Sequence, residues 1–189
     1  RQVSACTQPA AEGLEVDNSS DAIVEERRNL LQMLFVEGNH VCPGCEKSGA
    51  CQLQAVAYYT GMLSPHYTHF FPQRSVDASH PDTAIDFNRC ILCELCVRAS
   101  RDVDQKNVFS LGGRGIDSHL VINSSSGKLG DSTFAATDKA AHVCPVGAIL
   151  PKHRGYEQPI GDRLYDKRPI SIVGDVAANE PGNKGDGHG

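Results

Sequence analysis

The sequence has no tryptophan, two methionines and 6% aromatic residues, so little aromatic material is on hand for a large core. It has no basic excess. Eighteen Lys and Arg stand against 23 Asp and Glu, for a formal net charge of -5, which counts against a general nucleic-acid binder. No apolar run approaches the length of a membrane span, and no secretory signal pattern is visible. Gly112-Gly113-Arg114-Gly115 is a glycine cluster without the spacing of a nucleotide-binding turn. Neither Gly-x-Ser-x-Gly nor His-Glu-x-x-His occurs. Asp102 and Asp104 read as a solvated helix face rather than a catalytic pair. With acid–base, nucleophile and nucleotide motifs all missing, no substrate-converting site is expected in this chain.

What is present is cysteine. The 189 residues allow one or two small domains, and 40% hydrophobic with 22% charged residues argues against wholesale disorder. Eight cysteines occur: Cys6, Cys42, Cys45, Cys51, Cys90, Cys93, Cys96 and Cys144. Cys-x-x-Cys units, one extended to a triple, suit a metal better than a disulfide framework.

Along the chain, residues 1–16 read as a short extended piece, with Gly13 to Val16 resembling a strand end. Asp17 to Asp21 is a turn cluster rich in helix caps. Ile23, Val24, Leu30, Leu31, Leu34 and Phe35 then recur at helical spacing until Gly38. A second helix is expected over Ala50 to Thr60, irregular linking backbone over 62–84, and a short strand at Ile85 to Phe87. Further expectations are a helix over Cys93 to Val103, strands at Val108 to Leu111 and Leu120 to Ile122, and a short helix over Thr137 to His142. Residues 151–170 are rich in Pro, Lys and Arg. Glu180 to Gly189 reads as disordered.

Cys90, Cys93 and Cys96 put three thiolates on one tight loop, and Cys144-Pro145 lies 48 positions beyond Cys96. Three sulfurs at this spacing can hold three irons of a cuboidal [4Fe–4S] cluster, and the returning chain supplies the fourth. Structural zinc prefers ligands paired two and two, which this set fits less well. His40, Cys42, Cys45 and Cys51 offer one imidazole and three thiolates within twelve residues. Spacing alone leaves a zinc site open here. An iron–sulfur site with a histidine ligand is favoured, His40 being the nearest available fourth donor. His66, His69, His80, His119, His142, His153 and His188 lack ligand spacing and read as surface or packing residues.

The stretch from Leu34 to Gln54, including Gly38-Asn39-His40-Val41-Cys42-Pro43-Gly44-Cys45, closely resembles a segment of the diaphorase iron–sulfur (gamma) subunit of NAD-reducing [NiFe] hydrogenase. Asn88 to Arg98 and Cys144 to Ile149 resemble the next cluster site of the same proteins. More distant likenesses are the N-terminal region of the large iron–sulfur subunit of respiratory complex I, the matching part of NAD-dependent formate dehydrogenase, and [FeFe] hydrogenases. The resemblance runs to about Gly174. It implies His40, Cys42, Cys45 and Cys51 on one [4Fe–4S] cluster, and Cys90, Cys93, Cys96 and Cys144 on another. The histidine stands two positions before the first cysteine, where complex I subunits have four, which favours the hydrogenase or formate dehydrogenase type. Ala5-Cys6-Thr7-Gln8-Pro9 resembles the end of a plant-type [2Fe–2S] domain, in which Cys6 is a ligand only with cysteines that would lie upstream. A chain opening on Arg1 and ending 45 residues after Cys144 matches a trimmed or fragmentary free-standing gamma subunit.

The expected architecture is α+β. A remnant of a [2Fe–2S] ferredoxin domain covers 1–16, a helical [4Fe–4S] lobe with one histidine and three cysteine ligands covers 17–84, and a ferredoxin-like [4Fe–4S] lobe covers 85–150. An extended arm and tail cover 151–189. Lys152, Arg154, Arg163, Lys167 and Arg168 make that arm a candidate partner contact, a solvated loop being the alternative. The expected role is single-electron relay in the cytoplasm. FMN, NAD and the NiFe centre sit on partners: a flavin/NAD-binding diaphorase subunit and the hydrogenase small and large subunits. The alternatives are the same relay in a formate dehydrogenase or complex I-like enzyme, and a zinc-stabilised interaction module without redox function.

Overall fold

The structure is a computed structural model that describes residues 3–166. The first helix, α1 (Asp21–Glu37), begins where the turn cluster places it. Ser20 is extended at the N-cap, its carbonyl accepts from the Val24 amide at 3.0 Å, and Asp21 in the first turn favours the positive end of the helix dipole. Leu31, Gln32, Phe35 and Val36 are buried, and Gly38 ends the helix. The second helix, α2 (Gln52–Tyr59), lies against it through Leu53 and Ala57. Met62, Val146 and Ala148 complete this small core, so its floor comes from the far end of the chain.

The second half is built on two short sheets. Strands β1 (Val76–Asp77), β2 (Thr83–Asp86) and β5 (Ile149–Pro151) form an antiparallel sheet in the order β1-β2-β5. Strands β3 (Phe109–Gly112) and β4 (His119–Ile122) form a hairpin. Helices α3 (Leu95–Arg98) and α4 (Lys139–His142) cover them. Ile85, Val108, Phe109, Leu120, Ile122, Leu129 and Ile149 make the core. Ile85 pairs with Ile149. Cys90 follows the first by five residues and Cys144 precedes the second by five, so the ladder brings the distant cysteine home.

Several expectations need correction. Residues 62–84 are not all irregular, because β1 and the start of β2 lie there. The strand expected at Ile85 to Phe87 ends at Asp86, whose carboxylate accepts from the Asn88 amide at 3.0 Å and turns the chain into a 3-10 turn, Phe87–Arg89. Gly13 to Val16 forms no strand and is exposed. The helix expected from Cys93 starts at Leu95, after Glu94 in the left-handed region, and Ala99–Val103 is π-helical. The arm beyond β5 lies on the chain's own first lobe. The Tyr156 hydroxyl donates to the Gly44 carbonyl at 3.1 Å, Arg163 to Ser48 O at 3.2 Å, and the Tyr165 amide to Gly49 O at 3.0 Å. Lys167, Arg168, His188 and the tail from Glu180 lie outside the described residues.

Candidate metal centres

The loop after α1 is pinned across the molecule before the first cysteine. The Asn39 side chain donates to Pro72 O at 2.7 Å and to Asn88 Oδ1 at 3.0 Å, and its amide donates to Asn88 O at 2.8 Å. His40 follows, its ring tilted against Phe35 at 5.4 Å between centroids. His40 Nε2 is buried with no hydrogen-bond partner. Burial, and then the nearby Arg89 guanidinium, bring the imidazole down to about 4, so it is held neutral, the form that ligates a metal.

Cys42–Gly44 is a single 3-10 turn with Pro43 near its start, and the Cys45 amide closes it on Cys42 O at 3.2 Å. The loop continues through a Ser48 amide to Cys45 O bond at 3.0 Å. It is braced by buried Gln54, which accepts from the Gly49 amide at 3.0 Å. His40, Cys42, Cys45 and Cys51 thereby line one open-sided cavity of ≈ 320 Å³. Burial pushes the Cys42 and Cys51 thiols up.

Cys90, Cys93, Cys96 and Cys144 line a second cavity of ≈ 380 Å³. Left-handed backbone at Leu92 (φ 53°) and Glu94 (φ 60°) coils the loop tightly. Ile91, Leu111, Leu120 and Ile149 give it an apolar lining. Cys96 is pushed up to about 12, first by burial and then by Cys90, Cys144 and Cys93. Burial also raises Cys90 and Cys93.

Both donor sets fit an iron–sulfur cluster by their chemistry. In the second, burial in an apolar lining raises Cys90, Cys93 and Cys96, which resist ionising together unless a cationic core neutralises them. Among the described residues, no three His, Cys, Asp or Glu side chains stand close enough to hold a single ion. The donors are spread around a space. The unpartnered His40 nitrogen is the feature most in need of an outside acceptor of its lone pair.

The two cavities share a wall. Val146, 2% exposed, lines both. Next to it, a Cβ on Gly147 would meet Cys45 Sγ at 3.1 Å, and the Gln52 amide donates to Pro145 O at 2.9 Å. The Cys144 loop therefore presents its thiol to the second cavity and its following backbone to the first.

Cys6 is exposed in a turn and lines neither cavity. Asp104 is not merely solvated, as it accepts from the Lys139 and Ala140 amides at 2.8 and 3.0 Å and caps α4; Asp102 pairs with Arg101 at 2.6 Å. His80 is buried with its ring edge-on to Phe134, and His69 stacks on Phe71. The glycine cluster forms the β3–β4 turn, where a Cβ at Gly113 would collide with Asp117 O. Sequence reading assigned no role to Arg89. Its guanidinium reaches Cys45, 44 positions away, and no local pattern announces such a contact.

Residues 27–66 match the family described as NADH-ubiquinone oxidoreductase-G iron-sulfur binding region, and residues 84–150 match the 4Fe-4S single cluster domain. The chain is 39% identical over 169 residues to the NAD-reducing hydrogenase HoxS subunit gamma of Cupriavidus necator, covering 88% of this chain and 71% of that one. It is 33% identical over 161 residues to NADH-quinone oxidoreductase subunit 3 of Thermus thermophilus, covering 78% of this chain but 20% of that one. A chain in the crystal structure of NAD+-reducing [NiFe]-hydrogenase in the H2-reduced state superposes with a TM-score of 0.83 at 55% identity, over 88% of this chain and 70% of that one.

Proposed function

The chain belongs to the family of NAD-reducing hydrogenase gamma subunits, and from that membership we propose that it relays single electrons between a [NiFe] hydrogenase module and a flavin/NAD module. Its catalytic partners would be a flavin/NAD-binding diaphorase subunit and the hydrogenase small and large subunits, carrying FMN, NAD and the NiFe centre. The cytoplasmic location and the domain limits read from the sequence belong to this proposal. The observation that carries it is the common wall: two four-donor cavities meet at one buried valine.

His40, Cys42, Cys45 and Cys51 would hold one [4Fe–4S] cluster, and Cys90, Cys93, Cys96 and Cys144 the other. When bound, such a cluster supplies reversible one-electron oxidation and reduction at a potential set by its ligands and surroundings. The chain's part is to supply the donors, keep His40 neutral, and line the second cavity with aliphatic side chains that limit water. Cys6 would serve a [2Fe–2S] cluster only together with upstream cysteines.

The Thermus relative favours a second reading, the same relay in a complex I-like enzyme, with formate dehydrogenase a third setting. A zinc-stabilised module is disfavoured by donors that surround a space instead of meeting at a point. Iron and acid-labile sulfide near eight each per chain are expected, against about two zinc for the rival. In the assembled complex, Cys93→Ser should cut hydrogen-driven NAD reduction while sparing the flavin subunit's NADH-to-dye activity. Undiminished hydrogen-driven reduction in that variant would refute the relay. Nickel or molybdenum in the co-purifying large subunit separates hydrogen from formate as the electron source.

A further inference from the structure

Arg89 immediately precedes Cys90 on the second site's loop, yet its guanidinium lies on the first site. Nη1 donates to Cys45 Sγ at 3.7 Å, to Glu46 Oε2 at 2.7 Å and to Gly147 O at 3.4 Å. Nε pairs with Asp86 Oδ2 at 2.9 Å. Asp86 is itself held, since its other oxygen accepts from the Asn88 amide and side chain, each at 3.0 Å. The Arg89 side chain is 21% exposed, so the group is fixed on several sides and partly withdrawn from solvent.

We propose that Arg89 sets the redox potential of the His40 centre, by donating to the Cys45 sulfur and by fixing a positive charge at the junction of the two sites. The inference rests on the ligand reading proposed above. An added electron raises the negative charge on the cysteine sulfurs. A donor and a cation beside one sulfur stabilise that reduced state and raise the potential. Glu46 and Asp86 work the other way, and they are offset only while the guanidinium is present. Arg89 is a positioning and tuning residue, not a catalytic one.

A structural clamp would use the same contacts, so the test must read the sign of the shift. The assembled complex is titrated anaerobically with EPR detection, and the His40 signal is identified as the one that His40→Cys alters. Arg89→Gln should lower that midpoint potential and Arg89→Lys should lower it less, because the charge remains while the fork is lost. Glu46→Gln should raise it. The Cys90-set signal should move less than the His40 signal in every variant, because the hydrogen bond to a ligand sulfur reaches only the His40 set. Should Arg89→Gln fail to assemble, Arg89→Lys and Glu46→Gln still give the opposite signs required. Shifts of one sign in all variants, equal shifts at both centres, or no shift overturn the inference while leaving the ligand reading intact. No iron–sulfur signal from the His40 set in the unaltered complex overturns both.

Discussion

The ring of His40 rests directly on Gly38, and a Cβ built at position 38 would lie 2.5 Å from His40 Nε2. Gly38 has an ordinary φ of -106°, so the glycine is required for room and not for backbone freedom. Gly38→Ala should therefore leave α1 intact and displace the imidazole from its cavity. The expected result is iron falling by about half, from roughly eight to roughly four per chain. Full iron with an unchanged EPR spectrum would show that the ring is not confined as described.

Ser100, 1% exposed, sits in the π-helical turn and accepts from the Val108 amide through Oγ at 2.8 Å. Its carbonyl also accepts from Lys106 and Asn107, so the turn organises the start of β3. Ser100→Ala strands a buried amide and should cost about 1–3 kcal/mol. Denaturant melts of the cluster-loaded protein measure this. A change within about 0.5 kcal/mol, the range of ordinary surface substitutions, would contradict it.

The metal-free protein should have a bounded window of stability. His40 is held at about 4 against an ordinary 6.5, so the unfolded chain binds a proton that the fold refuses, and stability falls as pH drops from 6.5 toward 4. Cys96 is the mirror case. Its thiol is pushed from 9.0 to about 12, so the contribution is complete below 9 and is lost as pH rises toward 12. Urea midpoints against pH should be flat between these windows and decline on both sides. Replacing His40 by Gln should flatten the acid limb alone; an unaltered limb would remove His40 from the account.

Cluster removal should destabilise the chain as a whole, because Cys90 and Cys144 pack against both cores. Protein treated with chelator and oxidant should melt below the reconstituted form and less cooperatively. Coincident melting curves would mean that the polypeptide core suffices without its inorganic filling.

The helical framework of the first site was legible because α1 is long enough for its periodicity to show, and because Gly38 and the cap cluster bracket it. The cysteine sets were legible as chemistry, and the fold brings each set of four to a cavity of its own. What the sequence hid is short or distant. Val76–Asp77 and Ile149–Pro151 are too brief for alternation to register, and they count as strands only because Thr83–Asp86 lies between them. The π-helical turn at Ala99–Val103 keeps the composition of an α-helix. The contacts of Arg89 to Cys45 and of Tyr165 to Gly49 span much of the chain, and only tertiary packing creates them.

The Ile85–Ile149 pairing works as a gauge for the fourth thiol. Distance between Cys90 and Cys144 is measured across one rung of a ladder, so the number of residues in between carries no weight of its own. The exposed bend at 113–117 is tight but takes no part in that measurement, and extra residues inserted there should lengthen the hairpin's tip without disturbing the spacing of the sulfurs. A slip of one residue between β2 and β5 has the opposite character. It would turn Ile149 out of the core and carry Cys144 away from its three companions together.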